Sequence, residues 1–260
     1  MLDTHSDDDH NRCVLTLAGT HTDRAVRRIA SATVASVDLR AHSGAHPRFG
    51  SVDVVPFVSL RLDNEHRIRD GPIDDAIGAR DRFMAWAAET LRLPCFAYGP
   101  ERSLPDVRRH AFGDLGPDAG PSAPHPTAGA CAVGARPLLV AYNLWLTGSD
   151  VDLARSIAGR IRGPEVRALG LGVGGRAQVS CNLIEPFCTG PADVYDEVLR
   201  LAGASGSHVE RAELVGLVPL GVLEAIPEGR WSELGLGADR TIEARLQSVD
   251  PPFEPVRSKS

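Results

Sequence analysis

The sequence has 260 residues, 43% of them hydrophobic and 24% charged, with 34 acidic against 28 basic side chains and a net charge of -6. That is an ordinary globular balance for one large or two small domains, and it excludes a general affinity for nucleic acid or anionic lipid. No apolar run approaches the about 20 residues of a membrane helix, and the acidic Met1–Asp9 has neither the basic nor the apolar region of a signal peptide, so the cytoplasm is expected.

Cys13 to Ala18 alternates in Val, Leu and Thr and predicts a strand. Thr20 and Thr22 are candidate caps for a helix whose stripe is Val26, Ile29, Ala30, Thr33, Val34 and Val37. Val52 to Leu60 is apolar enough for a buried strand, which Pro56 demotes locally to a sheet edge or a bulge. Asp74 and Asp75 open a second helix with Ile77, Phe83, Met84, Ala87, Ala88 and Leu91 inside and Arg80, Asp81, Arg82 and Glu89 outside. Cys95 to Tyr98 reads as a short strand and Leu104 to His110 as one or two helical turns. From Gly113 to Gly134 the chain turns to Gly, Pro, Ala and Ser with no hydrophobic period; it is either a linker or a functional loop.

The second half predicts strand Leu138–Trp145, helix Val151–Arg162, strands Val166–Leu171 and Ala177–Leu183, helix Pro191–Ala202 and strand His208–Leu214. That βαββαβ order is the split arrangement of ferredoxin-like folds. The Gly170–Gly175 run joins two strands rather than a strand and a helix, so it predicts a tight hairpin and not a dinucleotide fingerprint. Five cysteines with no CxxC fit reduced, mostly buried thiols, and the scattered histidines give no metal spacing, so no metal is expected.

The stretch most suggestive of chemistry is Ala41 to Asp53. Pro47 pushes His46 out of the α region, which presents an imidazole able to move a proton near neutral pH. Arg48 and His42, if close, keep that imidazole neutral; the alternative for Arg48 is an ion-paired surface arginine. Asn143 and Asn182, each within an apolar strand, must find hydrogen bonds from backbone or ligand.

His46-Pro47-Arg48-Phe49-Gly50-Ser51-Val52-Asp53-Val54-Val55-Pro56-Phe57 resembles the H-P-R-M-G-A-L-D-V-x-P-F segment of the formiminotransferase (glutamate formimidoyltransferase) family. Four further segments match in the same order. Gly120 to Gly129, running into Gly134-Ala135-Arg136, resembles the family's folate-contacting loop. Pro137 to Asn143 is similar to P-F-L-V-A-Y-N, Gln178 to Leu183 to Q-V-S-x-N-L, and Glu213 to Leu220 to E-L-V-G-L-V-P-L. The last of these is expected to end a strand and start a helix.

The resemblance implies an α/β (α+β) fold of two ferredoxin-like βαβ-type subdomains packed around a ligand cleft. They would span 1–137 and 138–250, with 251–260 as a polar tail. It implies an enzyme of one-carbon metabolism and histidine catabolism that moves a formimino group from formiminoglutamate or a similar donor to N5 of tetrahydrofolate. Tetrahydrofolate is then a co-substrate, and a homodimer is admitted. His46 falls on the catalytic histidine, and Gly120, Pro121, Ser122, Ala123, Pro124, His125, Pro126, Thr127, Ala128 and Gly129 fall on the folate loop. Of these, His125 is expected to be exposed, ligand-adjacent or idle. Arg12, in an Asn-Arg pair at a strand start, is a candidate for a substrate carboxylate or a strand-edge arginine.

Three departures stand beside the match. The family's opening C-V-P-N-F-S-E-G strand and its helix do not appear, Ala45 replaces a Glu, and Ala128 replaces a bulky residue. With 40 residues after Leu220, no cyclodeaminase domain is expected. A catalytically weak or inactive folate-binding relative is the alternative reading.

Overall fold

The structure is a computed structural model and describes residues 1–7, 11–44 and 48–248. The chain forms two compact units. The first comprises Gly19–Arg61 and Asp70–Pro137; the second comprises Met1–Ala18, Leu62–Arg69 and the chain from Leu138 on.

The chain opens, in the second unit, as an antiparallel hairpin of β1 (Asp3–Asp7) and β2 (Arg12–Thr16), with Asp3 opposite Thr16 and Asp7 opposite Arg12. Only β2 is legible in the sequence. Asp3, Thr4, His5, Ser6 and Asp7 are polar on both faces, so β1 forms through backbone pairing and leaves no hydrophobic alternation.

In the first unit α1 (Thr22–Ser36) starts from His21 rather than from a threonine cap, and Thr22 Oγ1 donates to Gly19 O at 2.6 Å. There follow β3 (Val54–Phe57), the small hairpin β4 (Leu60–Leu62) and β5 (Ile68–Asp70), of which Leu62–Arg69 belongs to the second unit, and then α2 (Ile73–Thr90) and β6 (Cys95–Tyr98). Then come α3 (Leu104–His110) and β7 (Cys131–Ala135), which lies inside the Gly/Pro stretch. The sheet is parallel in the order β3-β7-β6, so the last strand inserts between the other two. This makes β3 an edge strand, which is why it accommodates the exposed Pro56.

Both faces of that sheet are covered, as parallel sheets require. Val55, Phe57, Cys95, Ala97, Cys131 and Val133 pack with Phe83, Met84 and Ala87 of α2. On the other face Phe96, Tyr98 and Ala132 pack with Val107 of α3, Phe49 and Phe112. Burial pushes the Cys95 thiol up to about 12 and the Cys131 thiol well up, so this register-paired couple is packing material and not nucleophile.

Arg80 corrects the expected inner and outer faces of α2. It is 3% exposed, with Nη1 and Nη2 donating to the two Glu101 carboxylate oxygens at 2.7 and 2.8 Å and Nε to Asp81 Oδ1 at 2.9 Å. Periodicity read the guanidinium as solvent-facing because it does not register a carboxylate supplied by another segment.

In the second unit β8 (Val140–Leu146), α4 (Val151–Ile161), β9 (Val166–Val173), β10 (Arg176–Leu183), α5 (Pro191–Gly203) and β11 (Val209–Val215) follow the expected βαββαβ order. The sheet is antiparallel in the order β11-β8-β10-β9, the ferredoxin-like arrangement. The β9–β10 connection is the predicted tight hairpin, with Gly174 and Gly175 at φ 54 and 77°. Tyr142, Leu144, Val179, Cys181, Leu183, Ala212 and Leu214 form one buried face, the one on which α4 and α5 lie. The Gly170 Cα meets α4 so closely that a Cβ would stand 2.2 Å from Arg155 N.

The segment Glu213–Leu220 ends a strand and starts a helix as expected, the helix being α6 (Leu220–Leu223), whereas α7 (Ile242–Ser248) is not expected from the sequence; the buried Glu243 ties the two. Its two carboxylate oxygens accept from Ile68 N and Leu220 N, both at 2.8 Å.

Glu101 provides a pH test. The hydrogen bonds from Arg80 hold its carboxyl below the ordinary 4.5. A lowered folded-state value means the stabilisation is complete above the unfolded value and is lost as pH falls through the folded one. Glu101→Gln should therefore lower stability by about 1 kcal/mol at pH 7, a charge-assisted pair discounted for the exposure of its carboxylate. Urea titrations at pH 7 and below pH 4 check it: the gap between variant and wild type should close in acid.

Candidate functional site

The end of the histidine loop and the end of the Gly/Pro loop are one hydrogen-bonded structure. Ser51 N donates to Ala128 O at 3.0 Å, Ala130 N to Phe49 O at 3.1 Å and Ala132 N to Asp53 O at 3.0 Å, with Gly50 bridging Gly129. The backbones approach so closely at this point that a Cβ on Gly50 would stand 1.8 Å from Ala130 O. Gly129 has φ 68°, and its own Cβ would stand 2.6 Å from Phe49 O. Both positions therefore demand glycine, one by contact and the other also by backbone conformation.

Asp53 holds the turn between Phe49 and β3. Its Oδ1 accepts from Phe49 N at 2.6 Å and Gly50 N at 3.3 Å, while Oδ2 receives Arg108 Nη2 of α3 at 2.6 Å. One carboxylate thus satisfies two turn amides and an arginine. On the other side of the histidine loop, Leu39 N donates to Thr127 O at 2.8 Å. Asp38 caps that turn and binds the Arg40 guanidinium, whose hydrogen bonds bring the Asp38 carboxyl down to about 2. The Gly/Pro loop therefore fastens the histidine loop both before and after His42–Arg48.

The Gly/Pro loop has its own internal order. His125 N donates to Gly129 O at 2.7 Å and Gly129 N to His125 O at 3.0 Å, closing a tight turn. The His125 ring caps it: Nδ1 accepts from Thr127 N at 3.3 Å and Ala128 N at 3.1 Å, which places the ring proton on Nε2. Contrary to expectation His125 is half-buried. At the loop's start Gly120 takes φ 94°, where a Cβ would stand 2.8 Å from Leu93 O. Ser122, Ala123, Pro124 and Pro126 are exposed, Pro121 and Thr127 half-buried, and Ala128 lies wholly within the core.

His46 lies outside the described residues. Arg48 is half-buried. Arg12, Asn143 and Asn182 belong to the second unit. Arg12 is exposed on β2 opposite Asp7, and Asn182 is exposed on β10. Asn143 is 6% exposed, and its Nδ2 donates to a side chain, Glu213 Oε2, at 3.2 Å, which also receives Trp145 Nε1 at 3.2 Å. Arg211 stacks on the Trp145 ring at 4.9 Å. Sequence reasoning missed Glu213 as that partner because the residues lie 70 positions apart, on strands whose pairing it did not assign.

Among the described residues no group of three or more His, Cys, Asp or Glu is placed to hold a metal, and no helix is long and apolar enough to cross a membrane.

The parallel sheet of the first unit and the ferredoxin-like second unit define an α+β fold, and comparison with known proteins gives it a family. The family model described as the formiminotransferase domain, N-terminal subdomain, matches residues 1–136. The chain is 32% identical over 254 residues to the glutamate formimidoyltransferase of Streptococcus pyogenes serotype M1, covering 88% of this chain and 82% of that one. It is 29% identical over 245 residues to the glutamate formimidoyltransferase of Thermoplasma acidophilum, covering 84% and 78%. Against the formimidoyltransferase-cyclodeaminase of Sus scrofa it is 32% identical over 255 residues, with 86% of this chain covered and 45% of that protein. The chain belongs to the formiminotransferase family and is a transferase.

Gly50→Ala should destabilise the protein by about 3 kcal/mol, because a side chain is forced against backbone that cannot move away. Gly116→Ala, in the same Gly/Pro stretch but with open space around its Cβ, should stay within about 0.5 kcal/mol of wild type. Paired urea titrations measure the contrast.

Proposed function

We propose that the chain transfers a formimino group from formiminoglutamate, or a closely similar donor, to N5 of tetrahydrofolate, with His46 as general base. The observation that carries this is the double fastening of the histidine loop to the Gly/Pro loop. Leu39 bonds Thr127 on one side of His46, and Ser51 and Ala130 bond Ala128 and Phe49 on the other. The segments that flank His46 in the sequence are thus tied to the Gly/Pro loop, and fixed relative placement of two loops is what a two-substrate transfer needs. The names of the relatives support the reaction.

The chemistry needs little beyond that geometry. The folate N5 attacks the formimino carbon and a C–N bond forms. His46 takes the N5 proton and returns it to the glutamate nitrogen; the second C–N bond then breaks, leaving glutamate and the 5-formimino product. Neutral imidazole is the form that accepts the proton.

In this reading the exposed Ser122, Ala123, Pro124 and Pro126 meet the folate, while Gly120, Pro121, His125, Thr127, Ala128 and Gly129 fix the shape of the loop that does so. Arg12, Arg48 and Asn182 serve the polar ends of the two substrates, while Asn143, expected among them, has its donor committed to Glu213. The subdomains are read as 1–137 and 138–250, although the compact units group Met1–Ala18 and Leu62–Arg69 with the chain from Leu138 on. Cytoplasmic location and a homodimer complete the proposal.

Calorimetric titration with tetrahydrofolate, followed by turnover with formiminoglutamate, tests it on wild type and His46→Ala. The variant should bind folate within about 3-fold of wild type and lose about 10²- to 10⁴-fold in kcat. Unchanged turnover would remove His46 as base, and absence of folate binding by the wild type would end the transferase reading.

A further inference from the structure

The face of the second-unit sheet turned away from α4 and α5 carries a buried amide with nothing to bind. Register places Gln178 between Trp145 on β8 and Leu171 on β9, on the same face as Asn143 and Glu213. Gln178 is 1% exposed, and neither its Nε2 nor its Oε1 has a hydrogen-bond partner. Turning the amide over exchanges two empty ends and changes nothing. Buried side-chain amides are otherwise satisfied, as Asn143 is one residue pair away. The same face opens progressively along β10, from buried Gln178 through half-buried Ser180 to exposed Asn182, about 13 Å at the rise of a strand.

We propose that Gln178 is a substrate-binding residue whose amide pairs with a ligand edge carrying an N–H donor beside an acceptor. A carboxylate, which only accepts, would leave Oε1 empty, and an ammonium, which only donates, would leave Nε2 empty. A lactam or amide edge, with N–H beside C=O, fills both. In the proposed reaction the pterin ring has that edge, whereas the formimino group of the donor, an amidine protonated near neutral pH, only donates. The assignment rests on the transferase reading, and it separates from the role of Asn143, whose donor is already committed to Glu213.

The test uses Gln178→Met and, as a second apolar variant, Gln178→Leu in the full chain, with thermal unfolding and two separate calorimetric titrations, one with tetrahydrofolate and one with formiminoglutamate. Without ligand, both variants should melt higher than wild type, by about 2–4 °C, because an unpaired buried amide is removed. Affinity for tetrahydrofolate should fall about 10- to 100-fold while that for formiminoglutamate is unchanged, and a fall for formiminoglutamate alone would overturn the lactam assignment. A lower melting temperature in both variants would show that the amide is paired within the fold, and would overturn the proposal whatever binds. Higher melting temperatures with both affinities unchanged would overturn it too, leaving the transferase reading intact. Failure of the wild type to bind either compound would end that reading and this assignment together.

Discussion

The contact on which the first unit depends is the approach of Gly50 to Ala130 and Gly129. It exists because neither glycine carries a side chain: a single added methyl would stand 1.8 Å from a carbonyl oxygen at one and 2.6 Å at the other. Through this contact two loops that are irregular in sequence become a backbone ladder leading straight into β3 and β7, the parallel pair at the edge of the sheet. Asp53 adds the charge that closes the turn, and Arg108 ties that charge to α3. Loop order here is therefore inherited from the sheet and needs no large apolar side chains of its own.

The second unit solves a different problem. Its antiparallel sheet buries one face under two helices and gives the other to Asn143, Trp145, Gln178, Ser180 and Glu213. Most of those polar groups satisfy one another, with a single carboxylate oxygen of Glu213 receiving two donors. Gln178 does not, and stability alone gives no reason to keep an amide there. A local departure from good packing of this kind marks a surface shaped for binding.

Much of the fold was legible because the apolar periods are strong. In the second unit the βαββαβ order follows from segments that alternate or repeat at helical spacing, and Gly174-Gly175 announces its hairpin. The misses share a cause. β1 is polar on both faces, β7 is hidden in a run of small residues, and Arg80 is buried by a partner 21 residues away. Local pattern registers side-chain character and is blind to backbone pairing and long-range charge. The site divided the same way. The motifs located both loops, but the role of Asp53 as their clasp, the half-buried cap made by His125 and the commitment of Asn143 to Glu213 all depend on residues brought together only by the fold.

The central claim is that the histidine loop and the Gly/Pro loop form one cooperative structure that positions a base against a bound folate. Amide hydrogen exchange at Leu39, Ser51 and Ala130, with and without tetrahydrofolate, tests this most directly. One structure predicts that the three amides open with the same free energy and slow together when the folate binds. Separate opening of Leu39 from Ser51 and Ala130, or folate binding that leaves all three unchanged, would contradict it.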